Sequence, residues 1–251
     1  MWETLKAASV EFRRGQLHLI ASGPGIGKSA FALNLAIKAK VPGIYLSADS
    51  DSSTQYARAA ALMTGHRVAD IQAQMDRNQV TEYDRALARL TWLRFDFEAV
   101  PTLGSIEEII TAYGHAYYRY PELFILDNLS NVSPETGRDT LQALDDTLIF
   151  LQDFARKTRA CVVVLHHLTG AYEDGTEPAP LSGLRGKVSK IPELVLNLYK
   201  ESDQFGETLG VAIVKNRNGL AAPDGSLTVS LAADLDRMSI YDPPHERWPA
   251  V

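Results

Sequence analysis

Between His18 and Ala30 the chain reads HLIASGPGIGKSA, and the residue types in it suit phosphate chemistry. A mostly apolar run, Leu17 to Ala21, predicts a buried strand, and Phe31, Leu33, Leu35 and Ile37 recur at helical spacing. Strand, glycine turn, Lys28-Ser29 and helix is the layout of a phosphate-binding P-loop. Gly23, Gly25 and Gly27 are expected to turn backbone N–H groups inward at φ values that other residues resist. The helix N-terminus adds the positive end of its dipole. Lys28 would reach the β- and γ-phosphates and the Ser29 hydroxyl would ligate Mg²⁺. The expected nucleotide contacts are therefore Gly23, Pro24, Gly25, Ile26, Gly27, Lys28, Ser29 and Ala30, with Ser22 standing where the G-x-x-x-x-G-K-[ST] pattern has its first glycine.

Hydrolysis needs more than a phosphate cradle. It needs an acid in the Mg²⁺ shell, a group that orients water, and positive charge for the transition state. Asp127, after the apolar run Leu123 to Leu126, fits the first role and would ligate the metal together with Ser29; a simple turn cap is the alternative. Asp49 follows a second apolar strand, Gly43 to Ser47. In a parallel sheet both carboxylates emerge at the C-terminal edge beside the P-loop, where ligands collect.

The elements that must hold these groups follow from pattern. Residues 1 to 15 predict a short lead-in helix and a turn at Arg13-Arg14-Gly15. After Asp51, Ser52 or Ser53 would cap an Ala-rich helix to Met63. Arg67 to Thr91 predicts one or two helices with Thr81 and Asp84 as a capping box, then a strand from Leu93 to Phe97. Ser105 and Glu108 suggest another capping box, for a helix ending near Tyr118. A long helix runs from about Thr140 to Lys157, and an apolar strand from Ala160 to Leu165 is closed by His166 and His167. Thr169 to Lys190 is rich in Gly, Pro and charge and reads as a mobile loop. Four strands follow, Leu194 to Tyr199, Leu209 to Lys215, Leu227 to Leu231 and Arg237 to Tyr241, with turns at Gly206 and Gly225. The expectation is one α/β domain over 1–251, a mainly parallel sheet flanked by helices and extended by antiparallel strands, with residues 242–251 as a poorly ordered tail.

Bulk properties exclude several classes. Hydrophobic residues make up 45% and charged residues 22%, as in a globular protein, and no apolar run is long enough for a membrane span. The single Cys161 lies in an apolar run, which suits a buried thiol and a reducing cytoplasm. A net charge of −6 provides no general basic footprint, so nucleic acid would have to be met by local clusters.

Five stretches, taken in order, resemble the RecA-like ATPase domain of DnaB-type replicative helicases. They are GQLHLIASGPGIGKSAFALNLA (Gly15 to Ala36), YLSADS (Tyr45 to Ser50), LFILDNLSNV (Leu123 to Val132), VVVLHHL with LSGLRG (Val162 to Leu168, Leu181 to Gly186), and VKNRNG (Val214 to Gly219). The resemblance implies a P-loop NTPase that hydrolyses Mg·ATP between subunits of a hexameric ring. Asp49 falls where the family has its water-activating glutamate, one methylene longer; Asp49 and Asp51 both stay open as the base. His167 falls at the family's γ-phosphate-sensing glutamine, although strand-end histidines are the ordinary reading of His166-His167. Lys215 and Arg217 fall where basic residues reach a neighbour's ATP, Arg217 as arginine finger. Single-stranded DNA would meet Arg138 in the loop after Asp127, and Arg185, Lys187 and Lys190 in the loop after His167. The family's collar domain has no counterpart ahead of the first strand. A helicase or translocase of replication or recombination is the leading reading. A RecA/RadA-like recombination or strand-annealing ATPase, or an ATP-gated loader working with replication proteins, is the alternative. A collarless motor suits a virus or mobile element acting in a bacterial cytoplasm.

Overall fold

The computed structural model describes residues 2–134, 140–186, 188–203 and 206–243. Their strands form one sheet of nine, in the order β3-β2-β4-β5-β1-β6-β7-β8-β9. Its parallel part is β1 (Leu17–Ser22), β2 (Gly43–Ser47), β3 (Leu93–Asp96), β4 (Leu123–Asp127), β5 (Cys161–His167) and β6 (Leu194–Asp203). The chain then turns back through β7 (Gly206–Asn216), β8 (Thr228–Asp234) and β9 (Ser239–Tyr241), all antiparallel. β6, expected among the final run of strands, instead pairs parallel with β1.

Helices cover both faces because the central strands are apolar on both. Along β1 the side chains alternate: Leu17 and Leu19 join one core, and Ile20 the other. The first core receives α6 (Leu103–Tyr117) and α7 (Thr140–Thr158) through Ile106, Ile110, Leu144, Leu148 and Leu151. The second receives α2 (Lys28–Ala39), α3 (Ser52–Thr64), α4 (Val68–Asp76) and α5 (Thr81–Leu87) through Phe31, Leu33, Ala57, Ala60, Ile71 and Tyr83. Phe31 is fully buried, and its loss would cost roughly 3–5 kcal/mol, more than any single cap contributes.

The first and last described segments of the chain meet on α2. Trp2, ahead of α1 (Glu3–Ala7), stacks on Phe31 at 4.6 Å and donates its indole N–H to Ile240 O at 2.9 Å. Asp242 accepts from the backbone N–H groups of Glu3 and Thr4 at 3.0 and 2.9 Å, so it caps α1 and is not part of a loose tail. Residues 244–251 lie outside the described residues. Asn34, fully buried on α2, accepts from Ile240 N and donates to Met238 O, which ties β9 to the middle of α2.

Three expected caps differ. Asp51, not Ser52 or Ser53, caps α3 by accepting from Thr54 N at 2.8 Å. The α6 box pairs Thr102 with Ser105, one turn earlier than Ser105 with Glu108, because the chain enters the helix directly after Pro101. No Thr81–Asp84 box forms, and Asp84 accepts from the Tyr56 hydroxyl at 2.7 Å instead. The loop from Thr169 to Lys190 is pinned as well. Ala179, Leu184 and Val188 are buried, Asn197 Nδ2 donates to Ala179 O, and Leu181 N donates to Pro223 O. Composition signalled its irregularity but not these anchors. Of the two expected turns, Gly225 sits at φ +87°, whereas Gly206 opens β7 and the residues before it, 204–205, are not described.

His18 is fully buried between Val162 O, to which Nδ1–H donates at 3.1 Å, and Arg13 N, which donates to Nε2 at 3.1 Å. Burial lowers its pKa to about 4, against about 6.5 for an unfolded histidine. The unfolded chain therefore takes up the proton first on acidification. The contribution of His18 is complete above about pH 6.5 and shrinks toward pH 4, by roughly 3 kcal/mol over that window. His18→Gln is expected to be less stable at neutral pH but to show a shallower loss of stability between pH 6.5 and 4 in urea titrations; an unchanged slope would remove His18 as the titrating group.

Candidate active site

The strand order brings four chain segments to one sheet edge. β5 lies between β4 and β1, so His167 at its end stands between Asp127, which ends β4, and the P-loop leaving β1. Asp127 O accepts from both Ala48 N and Asp49 N, at 2.7 and 3.1 Å, which fixes the exit of β2 beside β4. Gly23, Pro24, Gly25, Gly27, Lys28, Ser29, Ala30, Asp49, Arg58, His167, Leu235 and Met238 line a cleft of about 340 Å³ there.

The glycines differ in their reasons. Gly25 and Gly27 sit at φ +74° and +110°, where a side chain is strained. Gly23, contrary to expectation, does not have a positive φ; a Cβ on it would lie 2.0 Å from Glu173 O. Ser22 is an ordinary extended residue paired in β1 with His167 and Leu198, so the missing first glycine distorts nothing. Ile26 is buried against Gly175, where a Cβ would approach its side chain to 2.3 Å. The 170–175 turn therefore lies on the P-loop.

Three polar groups in this edge are incompletely satisfied. Lys28 is 7% exposed, and burial lowers its pKa against the opposing pull of Asp127 and Asp49. Asp127 is fully buried, and burial raises its pKa although Tyr45 and Ser29 favour its ionised form. Tyr45 OH donates to Oδ2 at 2.7 Å, whereas Oδ1 is buried without a hydrogen bond of ordinary geometry. His167 has Lys28 Nζ 3.4 Å from Nδ1 and Asn128 Nδ2 3.2 Å from Nε2. Asn128 Oδ1 already accepts from Ser130 N, so its Nδ2 faces the ring as a donor. Burial and the Lys28 charge lower the His167 pKa, and a neutral ring has one N–H, which here must face another donor. An anion between Lys28 and His167 would resolve that conflict, and a cation beside Ser29 would satisfy Asp127 Oδ1. Magnesium triphosphate supplies both, and the donor set fits it.

A model of the DnaB-like helicase C-terminal domain matches residues 2–236. The chain belongs to this family. It is 39% identical over 249 residues to the gene 65 protein of Mycobacterium phage L5, covering 98% of this chain and 92% of that protein. A DnaB-like replicative helicase, solved in work on its interactions with primase, superimposes with a TM-score of 0.82 at 18% identity over 97% of this chain and 61% of that chain. A second solved structure, itself an ATPase domain, gives 0.78 at 19% identity, over 97% of this chain and 90% of that one. The fold is accordingly the RecA-like one expected from sequence, and as a DnaB-like helicase domain the chain is an ATPase.

The expected residues of the DnaB-like domain do not all converge. The P-loop, Asp49, Asp127 and His167 do. Lys215 and Arg217 do not line the cleft; Lys215 Nζ donates to Ser189 O and Lys190 O at 2.6 and 2.9 Å, and Arg217 donates to Lys190 O at 3.3 Å and lies 4.0 Å from Glu193. Arg185 and Lys190 are exposed, while Arg138 and Lys187 lie outside the described residues. Sequence reasoning missed Arg58, Tyr45, Asn128 and the apolar wall of Leu235 and Met238. Arg58 donates to Ser50 Oγ at 2.9 Å and shares a face of α3 with Gln55, a polar i,i+3 pair hidden in an Ala-rich helix. Among the described residues no cluster of His, Cys, Asp and Glu suits a metal, and no helix is long and apolar enough to cross a membrane.

Asp51 is occupied as a cap, where hydrogen bonds from Thr54 and Ser53 lower its pKa. Asp51→Ala is expected to lower the melting temperature with ATP turnover unchanged, whereas Asp49→Asn should keep the melting temperature and abolish turnover. Steady-state rates and melting curves on the two variants decide between the carboxylates.

Proposed function

We propose that the chain is the motor of a DNA-translocating ring, a helicase or translocase that couples Mg·ATP hydrolysis to movement along single-stranded DNA. The observation that supports it most is the His167 conflict, with a P-loop lysine on one ring nitrogen and the loop after β4 on the other. In this reading the P-loop amides and Lys28 hold the β- and γ-phosphates, Ser29 and Asp127 hold Mg²⁺, and Tyr45 fixes the carboxylate. Asp49 orients the attacking water, Arg58 lies along the cleft toward the phosphates, and Leu235 and Met238 form the apolar wall for the base. The metal supplies charge neutralisation when bound. With triphosphate bound, Lys28 would turn from His167 to a phosphate oxygen and the His167 N–H would find an acceptor, which would change its contact with Asn128.

Arg217 acts on the nucleotide of the next subunit, with Lys215 beside it. Their distance from the chain's own cleft and their place at the end of β7 and on the turn that follows it support a role in trans. A ring of six subunits would bring Arg185 and Lys190 toward a central strand, as it would Arg138 and Lys187. The likeness to a phage protein supports action in an infected bacterial cell. A recombination-type or loader role uses the same ATP site; strand displacement on a forked substrate separates these roles from unwinding.

Arg217→Ala is expected to bind ATP normally and lose roughly a thousandfold or more in turnover. Mixing it with Lys28→Ala subunits should restore part of the activity, since mixed interfaces of one orientation pair the intact cleft of the first with the intact finger of the second; no recovery would place Arg217 outside the neighbour's site. Single-stranded DNA is expected to stimulate the ATPase, with an affinity that falls linearly on a log–log scale as salt rises. A rate indifferent to DNA at low salt would overturn the motor reading.

A further inference from the structure

His166 is fully buried in β5, and both ring nitrogens are engaged. Nε2 lies 2.7 Å from Arg185 O, and Nδ1 lies 3.4 Å from Ser130 Oγ. A carbonyl only accepts, so Nε2 carries the proton and Nδ1 is left to accept from the Ser130 hydroxyl. Burial lowers its pKa to about 4, which keeps this tautomer neutral near pH 7. The two partners belong to different loops. Ser130 sits in the turn Leu129–Asn131 that follows β4, and Arg185 follows the turn Leu181–Gly183. Arg185 N also donates to His167 O at 3.3 Å, so its peptide groups are pinned to two consecutive residues of β5.

An apolar residue would fill this fully buried place without carrying polar ring nitrogens into it. Histidine provides a rigid donor on one edge and an acceptor on the other. It joins the two loops that the proposed motor assigns to DNA, and it does so one residue before the side chain that touches Lys28 and Asn128.

We propose that His166 is a positioning residue that fastens the Ser130 turn and the Arg185 segment to β5, so that the response of ATP turnover to single-stranded DNA passes through it. This rests on the reading of those loops as DNA contacts. A strand that pulls on Arg185 would pull on the peptide of His166-His167, and a change at the His167 ring would reach both loops by the same route.

The test measures ATPase rate against oligothymidylate concentration for the wild type, His166→Ala, His166→Gln and Ser130→Ala. His166→Ala should keep the DNA-free rate and the KM for ATP, while its half-saturating DNA concentration rises about tenfold or its stimulation vanishes. His166→Gln, whose amide can still donate to Arg185 O, should recover most of the response, which general loosening of the core would not produce. Ser130→Ala should show a smaller loss, and it keeps the test alive should His166→Ala fail to fold. Wild-type stimulation with an equally responsive His166→Ala or Ser130→Ala would overturn the tie alone. A wild type that ignores DNA would overturn the motor reading and the tie with it.

Discussion

The fold is organised around polar groups at the sheet edge that cannot satisfy one another. Lys28 is nearly buried, Asp127 Oδ1 has no hydrogen bond of ordinary geometry, and His167 faces two donors. Each such group costs on the order of 1–3 kcal/mol in a folded protein. The two cores, one on each face of the sheet, outweigh that cost, since a single buried Phe31 already offsets about one such group. What is lost in stability is kept as affinity for a ligand that completes the set. Acidic, basic and neutral groups in this arrangement match a metal-bound triphosphate and would be badly served by water alone.

Strand order decides which groups share that edge. Because β5 lies between β4 and β1, one residue at its end reaches the P-loop on one side and the loop after β4 on the other. The same strand receives the Arg185 segment through backbone and side chain. A parallel sheet makes this possible: every strand delivers its last residue to the same edge, and adjacent strands deliver them about 5 Å apart. The P-loop is held from behind by the 170–175 turn and from the front by Leu235 against Gly27. The loop thus has little freedom, and a nucleotide meets it already shaped.

Much of this was legible in sequence for a simple reason. The strands that carry the site are short apolar runs ending in a polar residue, and β2 and β4 match their expected limits residue for residue. Side-chain identity and motif spacing named Lys28 and Asp127, and the family resemblance named His167. Caps were less legible because several short polar residues compete within one turn, and only the tertiary path of the chain selects Asp51 over Ser52, or Thr102 over Ser105. Tyr45 and Asn128 were hidden because each looks like part of its strand or turn, and their use is a matter of which neighbour lies opposite. The pinned loop from Thr169 was hidden by its composition: Gly, Pro and charge are what a mobile segment also contains, and Ala179, Leu184 and Val188 are too far apart to show a period.

On the reading proposed, the cations at the end of β7 and in the turn after it carry the same logic beyond one subunit. Lys215 loses some of its charge preference to burial and to Arg217 beside it, so the two repel, yet both are held by the carbonyls of residues 189 and 190. Glu193 stands beneath them, accepting from Leu17 N at the start of β1 and from Gln152 on α7, with Arg156 and Arg217 within 4 Å. A buried carboxylate anchored on β1 and α7 would aim the Arg217 guanidinium more precisely than solvent does, since the ordering entropy is lost in folding and not at the moment of reaction. The segment that accepts from Lys215 and Arg217 continues directly from the one that His166 holds. On the reading proposed, a strand bound at Arg185 and Lys190 touches two ATP sites at once: its own, through β5, and the neighbour's, through the fingers resting on Lys190.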